Sequence, residues 1–540
     1  MNKDTVIEKL QSEKFDLLII GGGITGAGIA LDAATRGLKT ALIEKKDFAY
    51  GTSSRSTKLI HGGLRYLKQL EFGLVKEVGS ERAVVHKLAP HLVIPEKMLL
   101  PLYEKRGLGS TLTSIGLRLY DWLAGVKRED QRKMLTRKQT LKQEPLLNPQ
   151  DIKGGAIYAE YRTDDARLTI EIIKSAIARG ATVNNYCEAT DFIYSEGTAN
   201  GVVVRSNLTD NSFVIQSTVI VNAAGPWVDL LREKDKSKSG KHLHLTKGVH
   251  IVVPHEKLPV TQSIYFDVGD GRMIFAIPRG RITYIGTTDT DYSGDLDNVH
   301  ADKPDAEYLI RAVNLTFTNV NLTLNDIESS WAGLRPLIHE EGKGASELSR
   351  KDEIFESTSG LISIAGGKLT GYRKMAERVV DLVVERSFDE RELKSCLTGS
   401  ILLASSDFKG YNEVINYRQT IFEKLKRHGL QSHVGELVSN FGKQCDDILD
   451  RFEKITESDA EIRLMKAQLD YCIKMEMVKT GSDFFVRRTG LLYFDLPLLT
   501  KVMEPCFQTM AIQFDWSDAR LSEEKNEMKR LIDQALNFKR

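Results

Sequence analysis

A stretch near the N-terminus, TSSRSTKLIHGGLRYL over residues 52–67, concentrates side chains that bind anions. It holds hydroxyl groups, cationic side chains, a histidine and a pair of glycines. A solvated surface loop has such a composition, and so has a loop that lies against a large anionic cofactor. The second interpretation requires that neighbouring elements of the chain form a site for that cofactor.

The elements before this stretch predict a dinucleotide site. A strand pattern, KFDLLII, leads into GGGITG, a helix pattern then ends at Gly37, and a second strand ends at Glu44. In such a unit Gly21 permits a tight turn, Gly23 lets the backbone approach a pyrophosphate, and Gly26 lets the helix pack on the strand. The carboxylate, about 20 residues after the glycines, is placed to accept hydrogen bonds from ribose hydroxyls.

The start of the predicted helix favours phosphate, because its first N–H groups lack partners and its dipole is positive there. We therefore expect contacts with the cofactor from Ile24, Thr25 and Lys45 as well. The hydroxyls and the lysine of residues 52–67 extend this surface toward the pyrophosphate, and the glycine pair lets bare backbone approach a flat ring. The further predicted contacts are Thr52, Ser53, Ser54, Lys58, His61, Gly62 and Gly63.

Two later junctions favour FAD over NAD. VNAAGPW (221–227) predicts a strand that enters a tight turn, and ISIAGGKLTGYR (362–373) predicts a strand, a glycine turn and a helix. The N-terminus of that helix can face the pyrimidine end or the ribityl chain of a flavin. A nicotinamide enzyme usually needs one such turn, whereas a long cofactor contacted at several remote points suits FAD. The predicted contacts are Ala223, Gly225, Gly366, Gly367, Lys368, Leu369 and Thr370.

The composition is that of a soluble globular protein. The chain has 540 residues, of which 41% are hydrophobic and 28% charged, and a formal net charge of +1. This balance argues against a nucleic-acid partner. Five scattered cysteines without CxxC spacing predict neither disulfides nor a metal site, and a reducing cytoplasm fits them best. No stretch predicts a signal peptide or a transmembrane helix.

Beyond the first unit the pattern of the chain changes twice. Strand patterns dominate from about Thr246 to Trp331, which predicts a largely β insertion. After about Cys396 helical stripes dominate, which predicts a separate helical domain. Two such stripes are Val414, Tyr417, Ile421 and Leu425, and Ile462, Met465, Leu469 and Cys472.

Several segments, taken in order, resemble a known family. They are GGGITGAGIALDAATRG, TSSRSTKLIHGGLRYL, DDARL, VNAAGPWV, KGVHIVVP, IGTTDTDY, GLRPL and GGKLTGYR. Together they resemble the FAD-dependent, respiratory glycerol-3-phosphate dehydrogenases. Near the other end, DFFVRRTGLLYF (483–494) is similar to the signature of that family's helical C-terminal domain, so the resemblance covers nearly the whole chain.

The resemblance implies an α/β (α+β) fold. A Rossmann-like FAD-binding domain is joined to a β-rich substrate cap, as in the amine and sarcosine oxidases, and an all-α C-terminal domain follows. The oxidoreductase part is expected over residues 1–395 and the helical domain over 396–540. Within the first part, the FAD-binding segments are about 1–90, 151–245 and 331–395, and the cap segments are about 91–150 and 246–330.

The resemblance also implies an activity, the oxidation of sn-glycerol 3-phosphate to dihydroxyacetone phosphate, with electrons passing through FAD to membrane quinone. The substrate is a dianion, for which arginine is suited because its planar guanidinium binds phosphate oxygens through two N–H groups. Arg335 and Arg350 match the family's phosphate-binding positions. Arg65 and Tyr66 match further positions on the substrate side, and Lys368 serves either the phosphate or the flavin.

The reaction also needs a group that takes the hydroxyl proton. His250 is the first candidate, because histidine titrates near neutral pH, although its strand pattern equally fits a core histidine. In an alternative assignment, Arg335 stabilises the developing alkoxide rather than binding the phosphate. His61 is expected to shape the flavin loop rather than to abstract the proton. Thr287–Asp289 form either a turn that orients the cap or an ordinary turn, and Arg487–Arg488 are expected to serve domain packing.

Residues 105–128 are a candidate for contact with a membrane surface. On a helix their apolar side chains share one face and basic residues bracket both ends, as in an interfacial helix on anionic lipid. A helix packed on the domain core fits the same pattern. The resemblance favours a cytoplasmic protein attached peripherally to the inner face of the cell membrane, and a homodimer remains open.

Three alternatives to the dehydrogenase remain at this point. One is an oxidase that passes electrons from the same substrate to oxygen and forms peroxide. Another is a flavin amine or amino-acid oxidase of the same fold. The last is a membrane-associated scaffold or sensor that only holds FAD.

Overall fold

A mainly parallel sheet forms the first part of the fold. A computed structural model describes residues 3–61, 72–104, 131–340 and 351–539. The strands along this sheet are Glu353–Glu356, Ile362–Ala365, Ser212–Asn222, Lys14–Ile20, Thr40–Ile43 and Thr182–Asn184, and the hairpin Cys187–Ser195 and Thr198–Ser206 pairs beside Ser212–Asn222. From Ile362–Ala365 to Thr182–Asn184 the neighbours are parallel, and Leu18 lies opposite both Ile220 and Ala41. Parallel strands buried on both faces account for the near-continuous apolar runs in the sequence.

Helices cover one face of this first sheet. Ile24–Arg36 lies between Asp165–Ile177 and Tyr372–Ser387, and nearly all of its side chains are therefore buried. It ends at Gly37, whose φ of 103° allows its N–H to bond Ala33 and Ala34. The other α-helices before the C-terminal domain, among the described residues, are Lys3–Ser12, Phe72–Leu88, Arg137–Gln143, Val228–Lys234 and Lys303–Thr316.

A second, mostly antiparallel sheet lies beside the first. Its strands in order are Thr290–Asp291, Lys241–Pro254, Ile282–Gly286, Met273–Arg279, Ser263–Asp267, Ile94–Tyr103, Ile152–Arg162 and Leu59–Ile60. Ser329–Glu340 pairs with Lys241–Pro254, and Lys133–Thr136 pairs with Ile152–Arg162. Helix Lys303–Thr316 packs on one face of this sheet, and the C-terminal helices pack on the other.

The C-terminal part is helical, as predicted. Its helices are Tyr411–Lys426, Val434–Phe441, Cys445–Lys454, Ala460–Met475, Leu496–Phe514 and Asp518–Leu536, with a π-helical turn Asp483–Arg488 and a short helix Leu491–Phe494 between the fourth and fifth. The first predicted stripe is buried along its whole length, and in the second Ile462 alone is partly exposed. None of the five cysteines, all of which lie within the described residues, forms a disulfide.

Buried charges join these helices to the first sheet. Arg167, on helix Asp165–Ile177, donates to both carboxylate oxygens of Glu476 at 2.6 and 2.9 Å. Glu171 and Lys174, from the same helix, complete the cluster, with Lys174 3.0 Å from Glu476. The guanidinium and the carboxylates hold their charge in this interior because each is paired.

The structure confirms the predicted fold class: a mainly parallel sheet packed against helices, a β-rich second sheet and an all-helical C-terminal part. The predicted domain borders stay a prediction. Strands Ile152–Arg162 and Ser329–Glu340 belong to the second sheet, although most of their residues lie in segments predicted to bind FAD. Among the helices that the structure describes, none is long and apolar enough to cross a membrane.

Candidate active site

The glycine turn after the first strand forms a close-fitting cradle. A Cβ on Gly21, whose φ is 116°, would lie 2.5 Å from the carbonyl oxygen of Ala223, and a Cβ on Gly26 would lie 1.9 Å from that of Gly21. Neither position accepts a side chain. Ser53 accepts the N–H of Ile24 at 2.9 Å, so the opening loop is tied to the start of the helix. The first and third glycines therefore have the packing roles that their spacing predicts.

Glu44 ends the second strand beside this cradle. Its carboxylate accepts the N–H of Gly22 at 2.7 Å and that of Lys46 at 3.0 Å. Burial raises the pKa of the Glu44 carboxyl above its ordinary value, although the two N–H donors oppose the shift. Lys45 follows, with its ammonium 4.2 Å from the Trp227 ring centroid and 2.8 Å from Asp297.

A cavity of about 570 Å³ runs from this cradle to the second sheet. Most of the predicted cofactor residues line it, and they come from both sheets' ends and from the loops between them. They are Gly21, Gly23, Ile24, Thr25, Glu44, Lys45, Thr52, Ser53, His61, Ala223, Gly225, Gly366, Gly367, Lys368, Leu369 and Thr370. The glycine cradle, the carboxylate at the strand end and a helix N-terminus along one elongated cavity fit FAD.

The second predicted glycine turn closes the far end of this cavity. Gly366 and Gly367 both have a φ of 78°, a conformation that favours glycine. The turn leads into helix Tyr372–Ser387. Thr370 donates to the carbonyl oxygen of His61 at 3.3 Å, which joins this end to the opening loop. Burial, with the positive charges of Lys368 and Arg82, lowers the pKa of His61 well below its ordinary value.

The structure corrects the prediction for Lys58. Its side chain is buried and bonds Asp165 at 2.5 Å and the carbonyl oxygen of Ser54 at 3.1 Å, so it does not line the cavity. Burial alone would lower the pKa of Lys58, but the charges of Asp164 and Asp165 raise it. An ammonium in this position stabilises the loop rather than contacting a cofactor.

Two other predicted contacts also lie behind the cavity wall. Gly26 packs against Gly21, and Ser54 is buried with its hydroxyl donating to Gly51 at 3.4 Å. The remaining predicted site residues, Gly62, Gly63, Arg65, Tyr66 and Arg350, lie outside the described residues.

Arg335 lies on the cavity wall and is held in place by one turn. Its guanidinium donates to Asp289 at 2.9 Å, to the carbonyl oxygen of Thr288 at 3.1 Å and to the Thr287 hydroxyl at 3.0 Å. A Cβ on Gly248 would lie 2.4 Å from Nη2 of Arg335, so the glycine provides the space for this side chain. Thr287–Asp289 therefore orient a cavity residue, the first of the two roles considered for them.

His250 lines the same cavity on the neighbouring strand. Its ring stacks on Trp331, with 4.7 Å between centroids and 11° between planes, and its Nε2 lies 3.0 Å from the Thr57 hydroxyl. Nδ1 is buried without a hydrogen-bond partner among the described residues. Burial, followed by the charges of Arg335 and Lys58, lowers the pKa of His250 well below its ordinary value, so the imidazole is neutral.

Sequence reasoning missed two groups of cavity residues. One is the apolar wall from the second sheet, Met98, Tyr158, Tyr265, Met273 and Phe275. The other surrounds the nucleotide end, Tyr50, Gly51, Arg55 and Trp227, and Thr57, beside His250, was missed as well. The alternating strand patterns showed which faces are apolar, but only the pairing of the strands decides which face meets a cavity.

Comparisons with known proteins agree with this geometry. Residues 16–373 match the family model of FAD dependent oxidoreductases, and residues 396–521 match that of the C-terminal domain of alpha-glycerophosphate oxidase. The chain is 47% identical to the aerobic glycerol-3-phosphate dehydrogenase of Bacillus subtilis over 99% of its length and 98% of the relative's. It is 46% identical to the enzyme of that name from Staphylococcus aureus, over 99% and 97%.

The fold has a solved counterpart in Bacillus halodurans, a glycerol-3-phosphate dehydrogenase complexed with FAD. The two chains share 44% identity and a TM-score of 0.85, over 99% of this chain and 98% of that one. An L-alpha-glycerophosphate oxidase from Mycoplasma pneumoniae shares the fold at 20% identity and a TM-score of 0.55, over 72% and 98%. FAD is thus the cofactor that both the residues and the family indicate. The chain belongs to the FAD-dependent oxidoreductases, in the family of the aerobic glycerol-3-phosphate dehydrogenases.

Proposed function

We propose that the protein oxidises sn-glycerol 3-phosphate to dihydroxyacetone phosphate. The observation that carries this proposal is Arg335, fixed by Asp289 and Thr287 on the wall of the FAD cavity beside the neutral His250. A dianionic substrate needs such a prearranged guanidinium, because the protein must replace the water that the phosphate loses on binding. The names and the high identity of the relatives support the same substrate.

FAD, when bound in this cavity, would supply the acceptor for the hydride from C2 of the substrate. Arg335 binds the phosphate or, in the alternative assignment, the developing alkoxide. His250 takes the hydroxyl proton at Nε2, the ring nitrogen that contacts the cavity-lining Thr57. The apolar wall with Tyr265 and Phe275, stacked at 4.1 Å, excludes water from the reacting atoms. Lys368 lines the cavity and serves the phosphate or the flavin.

An anaerobic spectrum of the purified protein tests the substrate and the cofactor together. Glycerol 3-phosphate should bleach the flavin absorption band, whereas glycerol at the same concentration should leave it unchanged. Equal bleaching by both compounds, or by neither, would refute a phosphate-specific site. The control adds dithionite, which must bleach the band in every sample.

The electron acceptor is proposed to be membrane quinone. The predicted membrane contact, residues 105–128, lies outside the described residues, so peripheral attachment and dimerisation stay predictions. The amount of peroxide formed per molecule of substrate oxidised, measured with and without a soluble quinone, distinguishes quinone from oxygen as the acceptor. One peroxide per substrate without quinone would identify an oxidase.

Substituting His250 with asparagine should lower kcat about a hundredfold, with little effect on FAD content, because general base catalysis contributes on the order of 10²–10⁴. Thr57→Val should also lower kcat, and Thr57→Ser, which keeps the hydroxyl, should restore it. Since the pKa of His250 is well below its ordinary value, the base stays deprotonated, and kcat of the wild type at saturating substrate should show no loss between pH 8 and about pH 6.5. An acid limb with a midpoint near pH 6.5 would contradict the neutral, buried imidazole.

Gly248→Ala should lower kcat/KM for glycerol 3-phosphate by roughly ten- to a hundredfold, because the added Cβ displaces Arg335 and small misplacements are costly in rate. Gly435→Ala is the matched control, since a Cβ there meets nothing within 4 Å. Steady-state kinetics and thermal unfolding of both variants make the comparison. Wild-type kinetics in the Gly248 variant would show that the position of Arg335 does not matter.

A further inference from the structure

The segment Asp483–Phe494 of the C-terminal helices contacts both ends of the active site. It consists of the π-helical turn Asp483–Arg488 and the helix Leu491–Phe494, joined at Gly490. Its sequence, DFFVRRTGLLYF, has no part in the chemistry proposed above. Nearly all of its side chains are buried, so its contacts are with the body of the protein rather than with solvent.

The first contact is with Asp47. Arg488 donates through Nη1 and Nη2 to the two oxygens of this carboxylate at 2.8 and 2.9 Å, and Arg487 donates through Nε at 2.5 Å. Arg488 and Asp47 are both 0% exposed. Burial opposes ionisation of Asp47, but the charges of Arg488 and Arg487 prevail and lower its pKa. This geometry agrees with the packing role predicted for the arginine pair, and Asp47 is the carboxylate that both arginines bind.

Asp47 leads directly to the nucleotide end of the cavity. It follows Glu44 by three positions, and the two residues after it wrap the glycine turn. A Cβ on Gly22 would lie 2.7 Å from the ring of Phe48, and the N–H of Ala49 donates to the carbonyl oxygen of Gly22 at 3.0 Å. A carboxylate that accepts three guanidinium N–H groups, and the amide of Asn185 at 3.2 Å, therefore holds the chain that presents Glu44 to the ribose.

The second contact is with Trp331. Tyr493 and Phe494 lie 5.2 and 5.9 Å from its ring, measured between centroids, on the indole whose face stacks on His250. The indole N–H donates to the carbonyl oxygen of Ser56 at 3.1 Å, and Ser329 donates to that of Leu492 at 2.7 Å. The indole is thus held on its edges by the C-terminal segment and the opening loop, and its plane sets the plane of the imidazole.

We propose that Asp483–Phe494 is the positioning element of the active site, fixing Glu44 through Arg488 and Asp47 and fixing His250 through Phe494 and Trp331. The second half of this inference rests on the proposed function, because it takes His250 as the base. The C-terminal helices are then part of the catalytic unit. Flavin affinity depends on one end of the segment, and the rate of flavin reduction depends on the other.

Two substitutions and two matched controls test the proposal. Arg488→Lys keeps the charge but loses the paired donors, and the dissociation constant of FAD should rise about tenfold. Phe494→Leu should lower the rate of flavin reduction by glycerol 3-phosphate about tenfold and leave FAD affinity unchanged. Arg451→Lys, at an arginine that pairs with Asp447 and Asp470, and Phe452→Leu, at an equally buried ring, make the same changes elsewhere in these helices.

Titration of the apoprotein with FAD and stopped-flow reduction of the holoenzyme are the readouts, with thermal unfolding beside them. Both controls should lower the melting temperature while FAD affinity and reduction rate stay within about twofold of the wild type. The proposal is overturned if the Arg488 and Phe494 variants behave like their controls. Arg487→Lys replaces Arg488→Lys if the latter does not fold. If glycerol 3-phosphate fails to reduce the wild-type flavin, the proposed function is wrong, whereas the FAD titration still decides the first half.

Discussion

Replacing Arg335 with alanine is expected to lower kcat/KM for glycerol 3-phosphate about a thousandfold, while the protein retains FAD and its fold. Charge-assisted hydrogen bonds contribute about 1.5–3 kcal/mol each, and every 1.4 kcal/mol is about tenfold, so losing a paired contact to phosphate gives this magnitude. Asp289, which loses its contact with Arg335, is 27% exposed at its side chain, so water can hydrate its carboxylate in the variant. Stability should therefore change little.

Steady-state kinetics and the flavin content of the purified variant measure this effect. Arg335→Lys should retain a small part of the activity, because a lysine supplies charge without the planar pair of donors. Arg281→Ala is the control, since that arginine pairs with Glu328 at the surface of the same sheet. If the Arg335→Ala variant turned over substrate as fast as the wild type, Arg335 would have no role in the site. The alternative of a scaffold or sensor that only holds FAD would then be favoured.

Replacing Glu476 with glutamine is expected to cost about 3–5 kcal/mol of stability, because it removes one of the two anions, Glu171 and Glu476, from a buried cluster of charges. Arg167 and Lys174 both bond this carboxylate, and its side chain is 0% exposed. Glutamine keeps the shape but not the charge, so the two cations keep only Glu171 as a shared carboxylate. Chemical denaturation followed by circular dichroism measures the loss, and a midpoint like that of the wild type would contradict it.

The same substitution has a pH signature. Burial by itself would raise the pKa of Glu476, but Arg167 and Lys174 lower it far below its ordinary value. A carboxyl with a depressed pKa stabilises the fold fully above its unfolded pKa, about 4.3, and this contribution is lost as the pH falls toward the folded pKa. The wild type should therefore lose stability between about pH 5 and lower pH more steeply than the glutamine variant. Glu504→Gln, at an exposed carboxyl paired with Lys525, should change stability by less than about 0.5 kcal/mol.

The main elements of the fold followed from local patterns, and the resemblance to a known family added the fold class. The glycine spacing, the carboxylate at the end of the second strand and the helical stripes after Cys396 each report on elements formed by residues close in sequence. Backbone requirements of this kind leave few choices of side chain, as the Cβ of Gly26, 1.9 Å from a carbonyl oxygen, illustrates. These features were therefore predictable without knowledge of the tertiary structure.

The partners of the charged side chains were not predictable in this way. Lys58 has the charge and the sequence position of a cofactor ligand, but the pairing of Leu59–Ile60 with Ile152–Arg162, which leads into helix Asp165–Ile177, brings Asp165 to it from 107 positions away. Arg335 lies in an apolar stretch, where a guanidinium needs a hydrogen-bond partner. Only the pairing of the strands shows that the turn Thr287–Asp289 is that partner. His250 alternates like a core residue and is one in its burial, yet it also lines the cavity.

The sequence by itself determined that this chain binds a dinucleotide at a glycine turn and ends in a helical domain, because those signals are encoded over a few turns of backbone. Tertiary structure alone decided that Arg488 contacts Asp47, 441 positions away, and that Phe494 of the C-terminal segment packs against Trp331, the ring on which His250 stacks. The physical reason is that a charge or a ring in a sequence specifies the kind of partner it needs, whereas the packing of sheets and helices selects which partner it receives.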